Sequence, residues 1–344
     1  MHVNENGEMT MTIRDPKRLQ TIAAHRVENA PGQKKILLIY CGITLGICLM
    51  SALAQALLGL QMEDAGGLKN MGLRTILSTV GTVLPIVANV VMMGLNLGLT
   101  AVMLRIARQQ YVSPMTLKAG VERFWPLIRW ILLQAAVYFL LGIVAMNVST
   151  MVYIMSPLSN GLVKLLEPML TGSNPQNVVL AMTEDPEMMA SFLSASWPVY
   201  ALMLLLAFAL VIPMSYRLRL GNYVLLDEPR AGAFRAFGRS RELMKNNCMA
   251  MFRLDLRLWW YHAAMALAMV LNYGAEILTV LGVALPGPFQ AWVYLFYGAS
   301  LLAQVALYYF LYSRVGVTYA LAYESLLPRE QPDQGVVLGN IFQM

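Results

Sequence analysis

Residues 36–60 read ILLIYCGITLGICLMSALAQALLGL, an apolar run of 25 residues that directly follows Lys34 and Lys35. At about 1.5 Å per residue, a helix of this length covers the ~30 Å hydrocarbon core of a bilayer. Five further apolar runs follow, and the expected spans are 36–60, 75–104, 126–154, 198–216, 256–281 and 290–313. The sequence therefore predicts an all-α, polytopic membrane helix bundle with about six transmembrane helices.

The composition of the whole chain agrees with this class. Of its 344 residues, 58% are hydrophobic and only 13% are charged, whereas about a quarter of a soluble domain is charged. These values exclude a soluble globular enzyme and a disordered chain. An outer-membrane barrel is also excluded, because its sequence shows short alternating strands rather than long apolar runs.

The basic residues are distributed very unevenly between the two sides of the expected bundle. Three of the 25 Lys and Arg residues, Lys69, Arg74 and Lys164, fall on one side, and the rest fall on the other. Because cytoplasmic loops of membrane proteins are rich in Lys and Arg, we expect both termini, 1–35 and 328–344, to be cytoplasmic. Topology thus accounts for the net charge of +6, and no nucleic-acid partner is expected.

Two amphipathic segments are expected on the cytoplasmic side of the six-span domain 36–327. The pairs Ser113–Pro114 and Glu228–Pro229 resemble helix starts, with helices predicted over 114–124 and 229–246. The order of span, surface helix and span then occurs twice, which predicts a parallel internal repeat. On the outer side, segment 156–196 is expected to hold a short helix from Pro186 that caps the bundle or lies on the membrane, or else forms a binding lid.

The segment 229–246 predicts a basic amphipathic helix. Its apolar face contains Ala233, Phe237, Ser240 and Met244, and its cations include Arg235, Arg239 and Lys245. Such a helix can lie on a leaflet of anionic lipids, where each cation contributes about 1 kcal/mol. It can equally pack on the cytoplasmic ends of spans four and five, and both interpretations remain open.

A few polar side chains lie within the expected spans. Asn89 and Asn96 are seven residues apart and share a helical face; with Gln134 they could line a polar pathway, or form hydrogen bonds between helices. Glu276 is the one carboxylate in a span, and an ionisable group there is a candidate for ion coupling. Since Glu276 lies near the outer end of its span, partial solvation is the preferred interpretation.

The entry of span five into the membrane carries a possible packing contact. Asp255 precedes the aromatic residues 259–261, and an ion pair with Arg217 or Arg219 from the end of span four would clasp the two spans. A role for Asp255 as a catalytic acid is the less favoured interpretation.

The sequence contains no motif of a known catalytic chemistry. Its three histidines are far apart, its three cysteines show no metal-ligand spacing, and neither a phosphate-binding glycine loop nor a nucleophile motif occurs. The sequence therefore predicts no cofactor, no metal site and no enzymatic activity.

Several short stretches in the second half of the chain resemble one family. They are 212–213, 216–217, YVLLDEP at 223–229, SRELMK at 240–245, FRLD at 252–255, WWY at 259–261 and YALAYE at 319–324. Together they are similar to the domain-of-unknown-function 975 family of bacterial integral membrane proteins. The family usually has Gly where this chain has Asn246. The resemblance implies a bacterial plasma membrane and six helices, and it implies no activity.

Three functions remain in competition. The favoured one is a non-catalytic membrane protein that organises lipids, anionic lipids included, or a membrane protein partner. The alternative is a transporter or permease component for a small molecule, peptide or lipid, supported by the internal repeat and the prolines within spans. An intramembrane enzyme that acts on lipid is the third.

Overall fold

The computed structural model describes residue 13 and residues 15–328, apart from 64–70, 158, 161–185, 229–231 and 284–285. The described residues form helices and no strand. The first half contains α1 (Pro16–Glu28), α2 (Gln33–Glu63), α3 (Met71–Ala107), a 3-10 helix (Pro114–Lys118), α4 (Ala119–Glu122), α5 (Phe124–Ile154) and α6 (Pro186–Leu218). The second half contains α7 (Gly221–Asp227), α8 (Ala233–Met244), α9 (Cys248–Arg257), α10 (Trp259–Leu271), α11 (Gly274–Val280), α12 (Phe289–Leu307), a π-helical turn (Tyr308–Tyr312) and α13 (Ser313–Leu326).

Five helices among the described residues are long and apolar enough to cross a membrane. A sixth crossing is reached if α10 and α11, which meet at a bend of 71°, count as one broken span. The predicted all-α membrane bundle is therefore confirmed. Two details differ from expectation: the fifth span is broken at residues 272–273, and Pro186 begins α6 itself rather than a short separate helix.

The chain divides into two compact units. Unit 1 comprises the residues up to Leu127 and those from Leu220 onward, and unit 2 comprises Ile128–Arg219. In unit 2 the hydroxyl of Tyr153 donates a hydrogen bond to the carbonyl oxygen of Ala195, 2.5 Å away, and so joins α5 to α6. Large apolar side chains such as Phe139 and Leu205 are exposed there, as in helices that face lipid.

Helix α13 lies in the core of unit 1. Val317, Ala320 and Leu321 are fully buried, and α13 packs against both α1 and α3. The approach to α3 is close, because a Cβ atom at Gly316 would lie 2.7 Å from Cγ of Met103. Small residues at such contacts let the backbones of membrane helices come together.

Glycines also hold the segment after α3 against α3 itself. The 3-10 helix begins at Pro114, as the sequence predicts, and folds back with α4 onto α3. A Cβ at Gly98 would lie 2.2 Å from the carbonyl oxygen of Leu117, and one at Gly120 would lie 1.8 Å from that of Gly94. These backbone contacts leave no room for any side chain at Gly98 or Gly120.

The helix predicted over 229–246 has different bounds in the structure. Asp227 is the last residue of α7, and α8 begins later, at Ala233. After α8 ends, Asn246 adopts the left-handed backbone conformation, with φ of 68°. Glycine adopts this conformation without strain, and asparagine tolerates it better than most other residues.

Candidate functional site

The charged end of unit 1 is organised around Arg108, which follows α3. Its Nη2 lies 2.7 Å from Oδ1 of Asp227 at the end of α7, and its Nε lies 2.7 Å from Oε1 of Glu324 on α13. All three side chains are less than a third exposed. Burial by itself lowers the pKa of Arg108, but the hydrogen bonds and charges of the two carboxylates outweigh burial and raise that pKa. Arg108 therefore joins three helices through charge-assisted hydrogen bonds.

Two tyrosines and a further arginine complete this network. Tyr323 donates a hydrogen bond of 3.1 Å to the second oxygen of Asp227, and its ring stacks on Tyr223 with centroids 5.3 Å apart. Burial lowers the pKa of Arg26 on α1, while the charge of Glu324 opposes that shift. We call Arg108, Asp227, Tyr323 and Glu324 the Arg108 cluster; it fixes the orientation of α7 relative to α3 and α13.

A second group of hydrogen-bonded side chains lies one turn before Tyr323 on α13. The hydroxyl of Tyr319 donates to Oδ1 of Asp255 at 2.7 Å and lies 3.0 Å from Nε2 of His262. The hydroxyl of Tyr319 thus lies within hydrogen-bonding distance of both Asp255 and His262. This group links α9, α10 and α13.

The contacts of Tyr319 do not test the predicted ion pair between Asp255 and Arg217 or Arg219. Asp255 belongs to unit 1, and Arg217 and Arg219 belong to unit 2. Within unit 2, the guanidinium of Arg219 lies 5.5 Å from the ring centroid of Tyr216. An ion pair between Asp255 and either arginine stays a prediction.

Helix α8 has one face packed on protein. Ala233, Ala236, Ser240, Leu243 and Met244 are buried, and α8 packs against α7. The packed face is therefore rotated toward Ala236 and Leu243 relative to the predicted one, and Phe237 lies at its edge, half-buried. The packing interpretation of this helix thus holds for one side of it.

The other side of α8 exposes apolar and basic groups together. Phe234 is 81% exposed, and Phe237, Arg241 and Lys245 follow it at helical spacing on the same stripe. The guanidinium of Arg241 lies over the ring of Phe237, 5.5 Å from its centroid. We call these four residues the α8 surface. An exposed phenylalanine flanked by cations is typical of helices that lie at a membrane interface.

The predicted cations Arg235 and Arg239 lie beside the α8 surface and make ion pairs. Nε of Arg235 is 3.1 Å from Glu228, and Nη1 of Arg239 is 2.8 Å from Glu242. Lys245, the third predicted cation, is exposed and belongs to the α8 surface. Of the predicted lipid-facing charges, Lys245 thus has the position best suited to lipid contact, and Arg241 joins it.

The polar residues expected within the spans do not all lie together. Oδ1 of Asn96 accepts a hydrogen bond of 2.5 Å from Tyr40 on α2, whereas the side chain of Asn89 donates to the carbonyl of Pro85 in its own helix, 2.9 Å away. Gln134 belongs to unit 2, so its part in a shared stripe stays a prediction. Glu276 is exposed in the first turn of α11.

The bend between α10 and α11 borders a mostly apolar cavity that also contains three polar side chains, which were not predicted from the sequence. Asn272, Ser300 and Gln304 line a space of about 330 Å³. Ser300 donates to the carbonyl of Ala268 at 2.7 Å, and Nε2 of Gln304 donates to Ser300 at 3.0 Å. The spacing of Ser300 and Gln304, four residues apart on one helical face, was the available signal.

No group of three or more His, Cys, Asp or Glu side chains that could hold a metal ion occurs within the described ranges. The clusters found there are ion pairs and hydrogen-bonded tyrosines, and their visible role is to join helices.

Comparison with known proteins gives one match. The model of a family described as a protein of unknown function, DUF975, matches residues 34–330. No curated protein and no solved structure matches the chain.

Proposed function

We propose that this chain, which belongs to the DUF975 family, is a non-catalytic protein of a bacterial plasma membrane that organises anionic lipids at its cytoplasmic face. A membrane protein partner bound at the same face is compatible with this role. The family carries no established activity, so the proposal rests on the surface chemistry of the chain.

The proposed orientation follows from the charge distribution. The N-terminal tail, the segment after α3 and the segment from α7 to α9 carry most of the Lys and Arg residues. The positive-inside rule assigns these segments, and both termini, to the cytoplasm. The α8 surface then faces the leaflet that is rich in anionic lipid.

The observation that carries the proposal is the two-sided character of α8. One side is packed on α7, and the other exposes Phe234 together with Arg241 and Lys245. Transfer of a phenylalanine side chain from water to an apolar phase contributes about 1.5–3 kcal/mol. Each cation near an anionic surface adds about 1 kcal/mol. Together these energies are sufficient to hold the α8 surface at the lipid boundary.

The Arg108 cluster supports this role by fixing the position of α7, on which α8 packs. Asp227 ends α7, and α8 packs on α7, so the ion pair with Arg108 sets where the α8 surface points. A helix held in this way meets the leaflet without a large loss of conformational entropy.

Thermal unfolding in lipid nanodiscs tests the proposal. We expect phosphatidylglycerol to raise the Tm relative to phosphatidylcholine, and an Arg241→Glu, Lys245→Glu variant to lose most of that rise. An Arg235→Glu, Arg239→Glu variant has the same change in charge and serves as the matched control; it should lose less, because both arginines are already paired with acids. An equal loss in both variants, or no effect of phosphatidylglycerol, would contradict the proposal.

The transporter alternative is favoured by one observation, the broken fifth span beside a cavity that contains Asn272, Ser300 and Gln304. Discontinuous helices near polar cavities form the binding sites of many transporters. In a variant without native cysteines, Asn272→Cys would react with a hydrophilic thiol reagent if water enters from either side. Glu276 is not expected to couple ions even in a transporter, so Glu276→Gln should leave protein levels and any growth phenotype nearly unchanged. Protection of position 272 from the reagent would argue against transport.

A further inference from the structure

A polar cleft lies at the junction between α1, α2 and the π-helical turn before α13. It has a volume of about 610 Å³ and contains the side chains of Gln33 and Lys34 at the start of α2, and of Arg314 at the start of α13. Lys34 lies two residues before the first apolar run, so the cleft lies where α2 enters the membrane. This is the depth of lipid headgroups.

Gln33 gives this cleft an unpartnered polar group. The residue is only 6% exposed, and its Oε1 has no hydrogen-bond partner within the described part of the chain. A buried amide oxygen without a partner costs free energy, because the hydrogen bond it had to water has not been replaced. The oxygen has almost no accessible surface, so the hydroxyl group of a ligand could supply the missing donor only after the Gln33 side chain turned toward the cleft.

The charges of the cleft favour an anion. Lys34 and Arg314 contribute two positive charges, and Glu28 contributes one negative charge. Nη2 of Arg314 lies 3.4 Å from Oε1 of Glu28, and both side chains are more than half exposed, so this pair is loose. A ligand that carries one negative charge balances the cleft.

An apolar groove adjoins the polar cleft at Phe310. It lies between α10 and α12, has a volume of about 610 Å³, and is lined by aliphatic side chains and by the ring of Phe310, which also lines the cleft. The groove includes Ala264, Ala303 and Ala306, whose small side chains leave room for a chain of methylene groups. The cleft at the membrane surface and the apolar groove within the span thus share Phe310 in their linings.

We propose that the cleft and the groove form one binding site for an anionic phospholipid of the phosphatidylglycerol type. The phosphate lies between Lys34 and Arg314, a headgroup hydroxyl donates to Gln33 once that side chain turns into the cleft, and one acyl chain follows the groove. A zwitterionic phospholipid would leave the extra positive charge unbalanced, and a free phosphate would leave the groove empty. This inference rests on the proposed function for its lipid environment, but it uses none of the residues of the α8 surface.

The test is native mass spectrometry of the full chain, titrated with phosphatidylglycerol and with phosphatidylcholine. We expect phosphatidylglycerol to bind at least tenfold more tightly, and Lys34→Gln with Arg314→Gln to remove that preference. Lys35→Gln is the matched control, since Lys35 is adjacent in sequence but does not line the cleft. Equal binding of the two lipids, or an equal effect of Lys35→Gln, would overturn the proposal.

The groove is tested separately. Ala306→Phe fills it and should weaken phosphatidylglycerol binding at least fivefold, whereas Ala266→Phe, at an exposed position outside the groove, should change binding less than twofold. This pair keeps the test decisive even if the double variant of the cleft does not fold. Glycerol phosphate should compete poorly; competition at the same concentration as the intact lipid would show that the groove plays no part and would overturn the proposal.

The two proposals can fail independently. Loss of the phosphatidylglycerol preference in the cleft variants, with normal binding in the Arg241→Glu, Lys245→Glu variant, supports the cleft site. The reverse pattern overturns the cleft site and leaves the α8 surface as the lipid contact.

Discussion

The guanidinium of Arg108 lies 2.7 Å from the carboxylate of Asp227, although α3 and α7 are separated in the chain by two long apolar helices. The same guanidinium holds Glu324 on α13, so one side chain joins three helices of unit 1. Since α8 packs on α7, this ion pair also determines how the α8 surface is presented. The stability of the charged end should therefore depend strongly on Arg108.

We expect Arg108→Ala to lower the free energy of unfolding by about 1–3 kcal/mol, because it leaves two largely buried carboxylates without their partner. Arg235→Ala removes an ion pair of similar length whose arginine is 69% exposed, and should cost at most about 1 kcal/mol. The measurement is thermal unfolding of the purified chain in detergent. Equal effects of the two substitutions would contradict the assigned role of Arg108.

A second expectation concerns the left-handed residue after α8. Asn246→Gly should leave the Tm equal or higher, and Asn246→Val should cost roughly 1–2 kcal/mol, because a branched side chain is strained at a positive φ. Lys245→Val is the control, since Lys245 has a φ of −60°. If Asn246→Val and Lys245→Val lowered the Tm in detergent by the same amount, the left-handed conformation assigned to Asn246 would be contradicted.

The close backbone contacts between α3 and α4 give a third expectation. Gly120→Ala should lower stability by about 1–3 kcal/mol or prevent folding, because its Cβ would overlap the carbonyl oxygen of Gly94. Gly142→Ala in α5 is the comparison: no atom lies within 4 Å of a Cβ there, so stability should hold or rise. Expression level and thermal unfolding in detergent distinguish these outcomes, and a Gly120→Ala variant as stable as the unsubstituted chain would contradict the contact.

Membrane topology gives a fourth expectation. In intact cells, single cysteines at Lys118 and Arg239 should be protected from an impermeant thiol reagent, because both residues belong to the basic, cytoplasmic side. Cysteines at Lys69 and Asn174, which lie outside the described residues, should be labelled. Labelling of Arg239→Cys from outside would contradict the six-span topology.

The class of fold and most helix positions could be predicted from sequence, because the length and hydropathy of a run suffice to identify a membrane helix. The partner of a charged residue could not be predicted in this way. The sequence Asp227–Glu228–Pro229 resembles a helix start, yet Asp227 is the last residue of α7, and its carboxylate is bound by Arg108 and Tyr323. Such pairing depends on tertiary contacts, which local sequence patterns do not contain.

The candidate sites could likewise be predicted only in part from the sequence. The amphipathic character of α8 was evident from its residue spacing, but which side packs on protein depends on the position of α7. The cavity at Asn272 depends on a bend of 71° within an apolar run, where hydropathy alone predicts a straight span. The cleft at Lys34 and Arg314 joins residues that are 280 positions apart in the sequence, about the largest separation at any of these sites.

The central claim, that the α8 surface contacts the lipid bilayer, is tested most directly by a spin label at position 234. In a variant without native cysteines, labelled Phe234→Cys and labelled Glu242→Cys would be compared by power saturation in phosphatidylglycerol-containing nanodiscs, with oxygen and a water-soluble nickel chelate as relaxation agents. Glu242 is exposed outside the α8 surface and serves as the aqueous reference. The account predicts that oxygen relaxes the label at 234 more strongly than the chelate does, with the opposite order at 242. Equal, chelate-dominated relaxation at both positions would contradict it.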